Sequence, residues 1–327
     1  AWSFQNNFKI YYTLYNTFSL TLIISMNANQ IKFSSDFNPK LIGSNIDEYL
    51  KKTEEQFLDI KEGVAKKVIW ANETNKKTPI AIVYIHGFTA SSKEVRPLPD
   101  KIASDLNANL FFTRLTGHGR NPKAMELCSI PNWMRDLHEA IEIGSKIGDK
   151  VILMSSSTGG TISSTSALNR KLSQKILGYI FLSPNFGINN SFASLISWPF
   201  SQYWLKLILG KTMEHNPRND LNKKYWTMSY PTNALIPMAK LVNEVNDRDY
   251  SKVKKPALFY FSMDDKVVDP KKIKKFISNW GGNSTTKIVK LSNSDDKYSH
   301  VLAGDIISPN QTEHAKKTIV TWIKNLK

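Results

Sequence analysis

Val151-Ile152-Leu153-Met154-Ser155-Ser156-Ser157-Thr158-Gly159-Gly160 is the stretch that decides how this chain reads. Four apolar residues in a row predict a strand covered on both faces, and a helical pattern over Thr158 to Leu168 follows almost at once. Only small residues lie between them. A strand that turns so abruptly into a helix lifts one side chain above the sheet, and the positions two before and two after it must be small. Centred on Ser157 the pattern is Ser155-x-Ser157-x-Gly159, which meets that demand. Centred on Ser156 it would crowd Met154 and Thr158, and centred on Ser155 it would crowd Leu153 and Ser157. Ser157 is therefore the candidate nucleophile.

The elements on either side repeat one rhythm. Upstream, Asp47 to Leu58 predicts a helix, Val64 to Ala71 a strand, and Ile80 to Ile85 a strand apolar on both faces. Val95 to Leu106 reads as helix, Leu110 to Phe112 as strand and Asn132 to Ile147 as helix. Downstream come Ile176 to Leu182 as strand, Ala257 to Phe261 as strand, Pro270 to Trp280 as helix, Lys287 to Leu291 as strand and Gln311 to Leu326 as helix. Strands alternating with helices of this length predict an α/β protein with a mostly parallel, doubly wound sheet.

The rhythm breaks between Pro184 and Lys255. That stretch holds Trp198, Tyr203, Trp204, Tyr225 and Trp226, with Pro199, Pro217, Pro231 and Pro237, and no strand-like apolar run. It reads as a helical insertion.

A serine hydroxyl attacks only when a neighbouring base takes its proton. Of the six histidines, His86 and His118 precede the serine, His138 and His314 fall in helices, and His215 lies in the insertion. His300 alone follows a late strand, giving the order nucleophile, acid, base. The acid should follow the strand Ala257 to Phe261, where Asp264, Asp265 and Asp269 stand. Asp269 precedes Pro270, the arrangement of a helix N-cap. An oxyanion needs backbone N–H groups. The amide after the nucleophile, Thr158, and that of Phe88 in His86-Gly87-Phe88-Thr89 are the candidates.

With these pieces in order, the chain resembles a bacterial α/β-hydrolase of the carboxylesterase and monoacylglycerol-lipase group. The resemblance rests on Tyr84-Ile85-His86-Gly87-Phe88-Thr89, Arg114-Leu115-Thr116-Gly117-His118-Gly119, the Ser-x-Ser-x-Gly elbow, Asp265-Lys266-Val267-Val268 and Ser299-His300-Val301-Leu302, spanning about 80 to 305. It departs from the usual pattern at Ser155, where glycine is common. The resemblance implies a core of residues 32–184 and 251–327 with a helical cap at 185–250. In the family's register, Asp265 is the triad acid. No cofactor and no metal is implied. The expected activity is hydrolysis of short- to medium-chain acyl or monoacylglycerol-like esters, small-molecule substrates, through an acyl-enzyme. A thioesterase or lysophospholipase would use the same triad, and a non-catalytic binder would use the same fold. A haloalkane dehalogenase would need a carboxylate at position 157.

Composition excludes other classes. The net charge of +16 comes from scattered lysines, in pairs such as Lys51-Lys52, Lys66-Lys67, Lys76-Lys77 and Lys271-Lys272. No run of five or six like charges and no zinc spacing accompanies them, so a solvated basic surface is expected and no nucleic-acid site. No stretch of eighteen apolar residues is present, and no membrane span is expected. The single cysteine, Cys128, cannot form an internal disulfide and reads as structural. Residues 1–31 read as an N-terminal extension: either an export signal, with the apolar run Phe18 to Ser25, or sequence upstream of a natural start at Met26. Without an export signal the expected compartment is the cytoplasm; with one, it is outside.

Overall fold

A computed structural model of the chain describes residues 31–189, 196, 198 and 200–326. The expectations for residues 1–30, and for part of the insertion, fall outside the described residues.

A seven-stranded sheet runs through the protein in the order β1-β3-β2-β4-β5-β8-β9. Its strands are β1 (Lys67–Ile69), β2 (Thr78–Ile85), β3 (Asn109–Phe112), β4 (Gly148–Ser156), β5 (Ile176–Leu182), β8 (Ala257–Ser262) and β9 (Ser284–Val289). The two missing numbers belong to a separate hairpin of β6 (Thr212–Glu214) and β7 (Ser229–Pro231). Only β1 pairs antiparallel, with β3; the other pairs in the large sheet are parallel. Ala81–Ile85, Val151–Met154 and Ala257–Phe261 are fully buried, as helices on both faces require. Each Val, Leu, Ile, Phe or Met among them contributes roughly 1.5–3 kcal/mol of apolar burial.

The helices are α1 (Ile46–Glu54), α2 (Leu98–Asp105), α3 (Ile130–Ile147), α4 (Thr158–Thr165), α5 (Arg170–Ser173), α6 (Ser201–Leu209), α7 (Asp220–Tyr225), α8 (Leu235–Asn246), α9 (Pro270–Asn279) and α10 (Thr312–Lys324). Short polar residues set several of their starts. Asn45 accepts from Glu48 N–H at α1, Ser129 from Asn132 N–H at α3, and Asp269 from Lys271 N–H at α9. Asp269 thus has the capping job its sequence position suggested. The helix expected from Thr158 to Leu168 tightens into a 3₁₀ turn at Ser166–Leu168.

Two expectations need correction. The insertion was expected to hold no strand, yet Met213 pairs with Tyr230 in the β6–β7 hairpin. Three-residue strands are too short to show an alternating pattern. The last strand begins at Ser284, three residues before the expected Lys287, because Ser284-Thr285-Thr286 looks turn-like in composition. Threonine suits an exposed edge strand.

Strand order explains where a site must form. The chain steps outward from β2 to β3, returns to β4, and proceeds to the other side through β5, β8 and β9. The order reverses between β2 and β4, and a crevice opens at the carboxyl ends of those strands. Among the described residues no helix is long and apolar enough to cross a membrane.

Candidate active site

Ser157 sits where β4 ends and α4 begins, with φ +50° and ψ −121°. A non-glycine residue in this region is strained and persists only when its surroundings hold it. Three backbone hydrogen bonds do so: Ser157 N–H donates to Leu182 O at 2.9 Å, and Ser157 O accepts from Gly160 and Asn185 N–H at 2.9 Å. A Cβ on Gly159 would lie 2.3 Å from Ile85 O, so only glycine fits at the second crowded position. Ser155 fits at the first because its side chain turns into the sheet and its hydroxyl donates to Ile180 O at 3.3 Å. The departure from glycine is thereby accommodated.

His300 Nε2 lies 3.0 Å from Ser157 Oγ, and its Nδ1 lies 2.8 Å from Asp265 Oδ2. The other oxygen of Asp265 accepts from Val267 and Val268 N–H at 2.8 and 2.9 Å. That carboxyl is fixed by its own loop. Asp264 does not share the arrangement: it is exposed, and its N–H donates to Ser262 Oγ. All three of Ser157, Asp265 and His300 are buried. Burial alone would lower the His300 pKa, but the adjacent Asp265 outweighs it and holds the imidazole above its ordinary 6.5.

The remaining histidines are accounted for. His86 is buried, with Nδ1 2.9 Å from Gly87 O and Nε2 accepting from Leu115 N–H at 3.1 Å. That pairing puts its proton on Nδ1. Burial, then the neighbouring His118, pushes its pKa down to about 3. His118 contacts Thr116 O and is pushed down to about 4 by burial. His215 meets Tyr230 Oη, His138 meets Ser35 Oγ, and His314 is exposed. Burial, then the charge of Asp136, pushes the Cys128 thiol up to about 12, which leaves it inert.

Thr158 is the first residue of α4, so its N–H has no intrahelical acceptor. Phe88 lies in the loop after β2, on the wall of the same cavity. That cavity of about 600 Å³ has Ser157 and His300 in its wall, with Trp226, Met228, Tyr230, Leu235 and Met238 contributed by the insertion. Of the insertion's large aromatics, Trp226 lines the cavity. Trp198 does not, and it is 58% exposed. Among the described residues no cluster of His, Cys, Asp and Glu is placed to hold a metal ion.

The family profile described as serine aminopeptidase, S33 matches residues 76–292, two thirds of the chain and every strand from β2 to β9. The chain belongs to this family. It is 26% identical over 217 residues to the thermostable monoacylglycerol lipase of Bacillus sp. strain H-257, covering 66% of this chain and 82% of that one. A structure of one of two metagenome-derived lipolytic enzymes, LipS and LipT, superposes with a TM-score of 0.65 at 17% identity, over 81% of this chain and all of the other. A soluble variant of the Saccharomyces cerevisiae monoglyceride lipase with a substrate analogue gives 0.60 at 14%, over 80% and 91%. The fold is that of the α/β-hydrolases, and the chain is a serine hydrolase by family.

Sequence reasoning missed three residues around the site. Asp296 is buried below His300, Arg218 reaches it from the insertion, and Glu94 lies beside Gly87. Asp296-Lys297-Tyr298 carries a readable signal, since Asp296 Oδ1 accepts from Tyr298 N–H in an Asx turn. Glu94 has none, because nothing in its local pattern separates it from a surface glutamate.

Proposed function

We propose that this chain hydrolyses carboxylic esters, with Ser157 as nucleophile, His300 as base and Asp265 as the group that orients His300. The observation that carries the reading is the pair of contacts from Asp265 to His300 to Ser157 at 2.8 and 3.0 Å, at the wall of a cavity that Trp226, Met228, Leu235 and Met238 line together with polar groups. Ser157 Oγ attacks the acyl carbon while its proton passes to His300 Nε2. Asp265 holds the Nδ1–H tautomer and stabilises the imidazolium. The carbonyl oxygen becomes an oxyanion, for which the Phe88 and Thr158 amides are the donors. When the tetrahedral adduct collapses, His300 returns the proton to the departing alcohol. Water then repeats the sequence on the acyl-enzyme and releases the acid.

The apolar insertion residues support an acyl chain of short to medium length or a monoacylglycerol-like ester. The Bacillus and yeast relatives carry lipase names, which favours the same class. Residues 185–250 act in this reading as the cap that selects substrates.

Two measurements test it together. A fluorophosphonate should label wild type stoichiometrically and Ser157→Ala not at all, and a panel of p-nitrophenyl esters of graded length should give turnover. An unlabelled wild type would end the catalytic reading and leave a non-catalytic binder.

A further inference from the structure

Glu94 is a carboxylic acid only 3% exposed, on the wall of the cavity that holds Ser157. Its Oε2 accepts from Gly87 N–H at 2.8 Å and from Tyr84 Oη–H at 3.0 Å. The Ser156 hydroxyl lies against both Glu94 and Tyr84. A Cβ built on Gly87 would fall 2.8 Å from Glu94 Oε1 and 3.1 Å from Ser157 Cβ, so the carboxyl and the nucleophile crowd the same face of that glycine. Burial holds the carboxyl above the usual carboxylate range, against the opposing effects of Gly87 N–H and of a protonated His300. A buried acid this close to a serine nucleophile needs a reason to be there.

The reason lies in two adjacent peptide planes. Gly87 O is held by Ala90 N–H at 3.2 Å and by His86 Nδ1 at 2.9 Å. A trans peptide points its C=O and its N–H in opposite directions, so holding Gly87 O aims Phe88 N–H the other way. Both partners belong to the same turn of residues 86–90, so they hold this plane relative to that turn and not relative to Ser157. The plane before it, whose N–H belongs to Gly87, is tied by the Glu94 carboxyl to Tyr84 of β2. Glycine has little rotational preference of its own, so without that acceptor the two planes turn against each other at Gly87.

We propose that Glu94 is a positioning residue for the oxyanion site: its carboxyl clamps Gly87 N–H and thereby fixes the direction of the Phe88 amide. The assignment rests on the ester-hydrolase reading above. A neutral acceptor of the same shape does the same work, and it adds no negative charge beside a developing oxyanion.

The test uses the full chain with wild type, Glu94→Ala, Glu94→Gln and Glu94→Asp. The readouts are kcat and KM on a p-nitrophenyl ester, the rate of labelling by a fluorophosphonate, and the urea midpoint. Glu94→Ala should lose on the order of 100-fold in kcat, the scale of one misdirected oxyanion donor, with KM changed by less than about threefold. The labelling rate should fall in step. Glu94→Gln keeps an acceptor for Gly87 N–H and should stay within about fivefold of wild type, a rescue that a requirement for charge would not allow. A Glu94→Ala protein with a lowered urea midpoint but wild-type kcat and labelling rate would overturn the proposal and leave Glu94 a stability anchor. If Glu94→Ala does not fold, Glu94→Asp decides, since one methylene less withdraws the carboxyl from Gly87. Its kcat should fall at constant KM, and a wild-type kcat sinks the proposal. A wild type that is not labelled at all refutes the ester-hydrolase reading instead.

Discussion

Arg218 Nη1 lies 2.5 Å from Asp296 Oδ1, an ion pair that ties the 185–250 segment to the turn carrying His300. The Asp296 side chain is wholly buried, and it also accepts from the N–H groups of Tyr298, His300 and Val301 at 2.9, 3.0 and 2.8 Å. One carboxylate thus sets the backbone on both sides of the imidazole. Arg218 lies over the Tyr298 ring at 4.8 Å and lines the cavity, so the same guanidinium touches the space where substrate would sit.

Removing Arg218 leaves that carboxylate buried without its cation. Arg218→Ala should cost about 1–3 kcal/mol, read as a lower urea midpoint at constant slope. It should lower kcat too, because His300 N–H donates to the other oxygen of the same carboxylate. Burial alone would raise the Asp296 pKa, but Arg218 and the three N–H groups outweigh it and hold the carboxyl below its ordinary 3.8. A depressed folded value gives stability that is complete above about pH 3.8 and is lost as pH falls through the folded value. Asp296→Asn should flatten that acid limb. A midpoint and kcat unchanged in Arg218→Ala would show that the pair holds nothing in place.

The pH dependence of the reaction should report His300. Its pKa is held above 6.5 by Asp265 against the opposing effect of burial, and it must be neutral to accept the serine proton. The kcat/KM should therefore climb with pH through a midpoint above 6.5. Asp265→Asn should cut kcat by about 10⁴, because the amide favours the wrong imidazole tautomer. Asp264→Asn should leave kcat near wild type. Asp269→Asn should cost about 1 kcal/mol or less, since Asn also caps a helix well. A crippled Asp264→Asn would move the acid by one position.

The elbow predicts an unusual split between stability and activity. Ser157 occupies φ +50°, which costs a residue with a Cβ of order 1 kcal/mol or more and costs glycine almost nothing. Ser157→Gly should therefore be more stable than Ser157→Ala by about 1 kcal/mol. Both should lose on the order of 10⁶ in kcat. Equal urea midpoints for the two variants would argue that the turn is unstrained.

The parts of this design that could be read from the chain share a physical cause. Val151 to Met154 and Ile80 to Ile85 are legible because a strand buried on both faces reads as a near-continuous hydrophobic run. Ser157 is legible because steric crowding at Ser155 and Gly159 restricts neighbours in sequence. His300 is legible by its place after a late strand. Glu94 and Asp296 act through atoms of Gly87 and of the His300 turn that only the folded loops bring together. Arg218 is 78 residues from Asp296, and no local pattern encodes their meeting. The β6–β7 hairpin was hidden because each strand has three residues.

Acyl-chain selection should depend on a single one of the insertion's tryptophans. The insertion holds three tryptophans, Trp198, Trp204 and Trp226. Trp226 is 8% exposed and lines the cavity with Met228, Tyr230, Leu235 and Met238, whereas Trp198 and Trp204 do not line it. Trp226 N–H donates to Asn222 O, and the next residue, Thr227, donates from its N–H to Thr89 O in the loop that carries Phe88. The backbone that carries this indole is therefore held on both sides, at the cavity wall. Replacing it with alanine removes a side chain comparable in size to several methylenes, and each methylene of a chain buried in the vacated space is worth about 0.8 kcal/mol. Trp226→Ala should shift the optimum of kcat/KM toward longer acyl chains, by two or more carbons on that scale, roughly a tenfold gain for the longer ester. Activity on p-nitrophenyl acetate should change little, since so small an acyl group does not reach the wall. Trp198→Ala should leave the whole profile where it was. A shift in Trp198→Ala equal to that in Trp226→Ala would mean that the cavity's acyl wall lies elsewhere in the insertion.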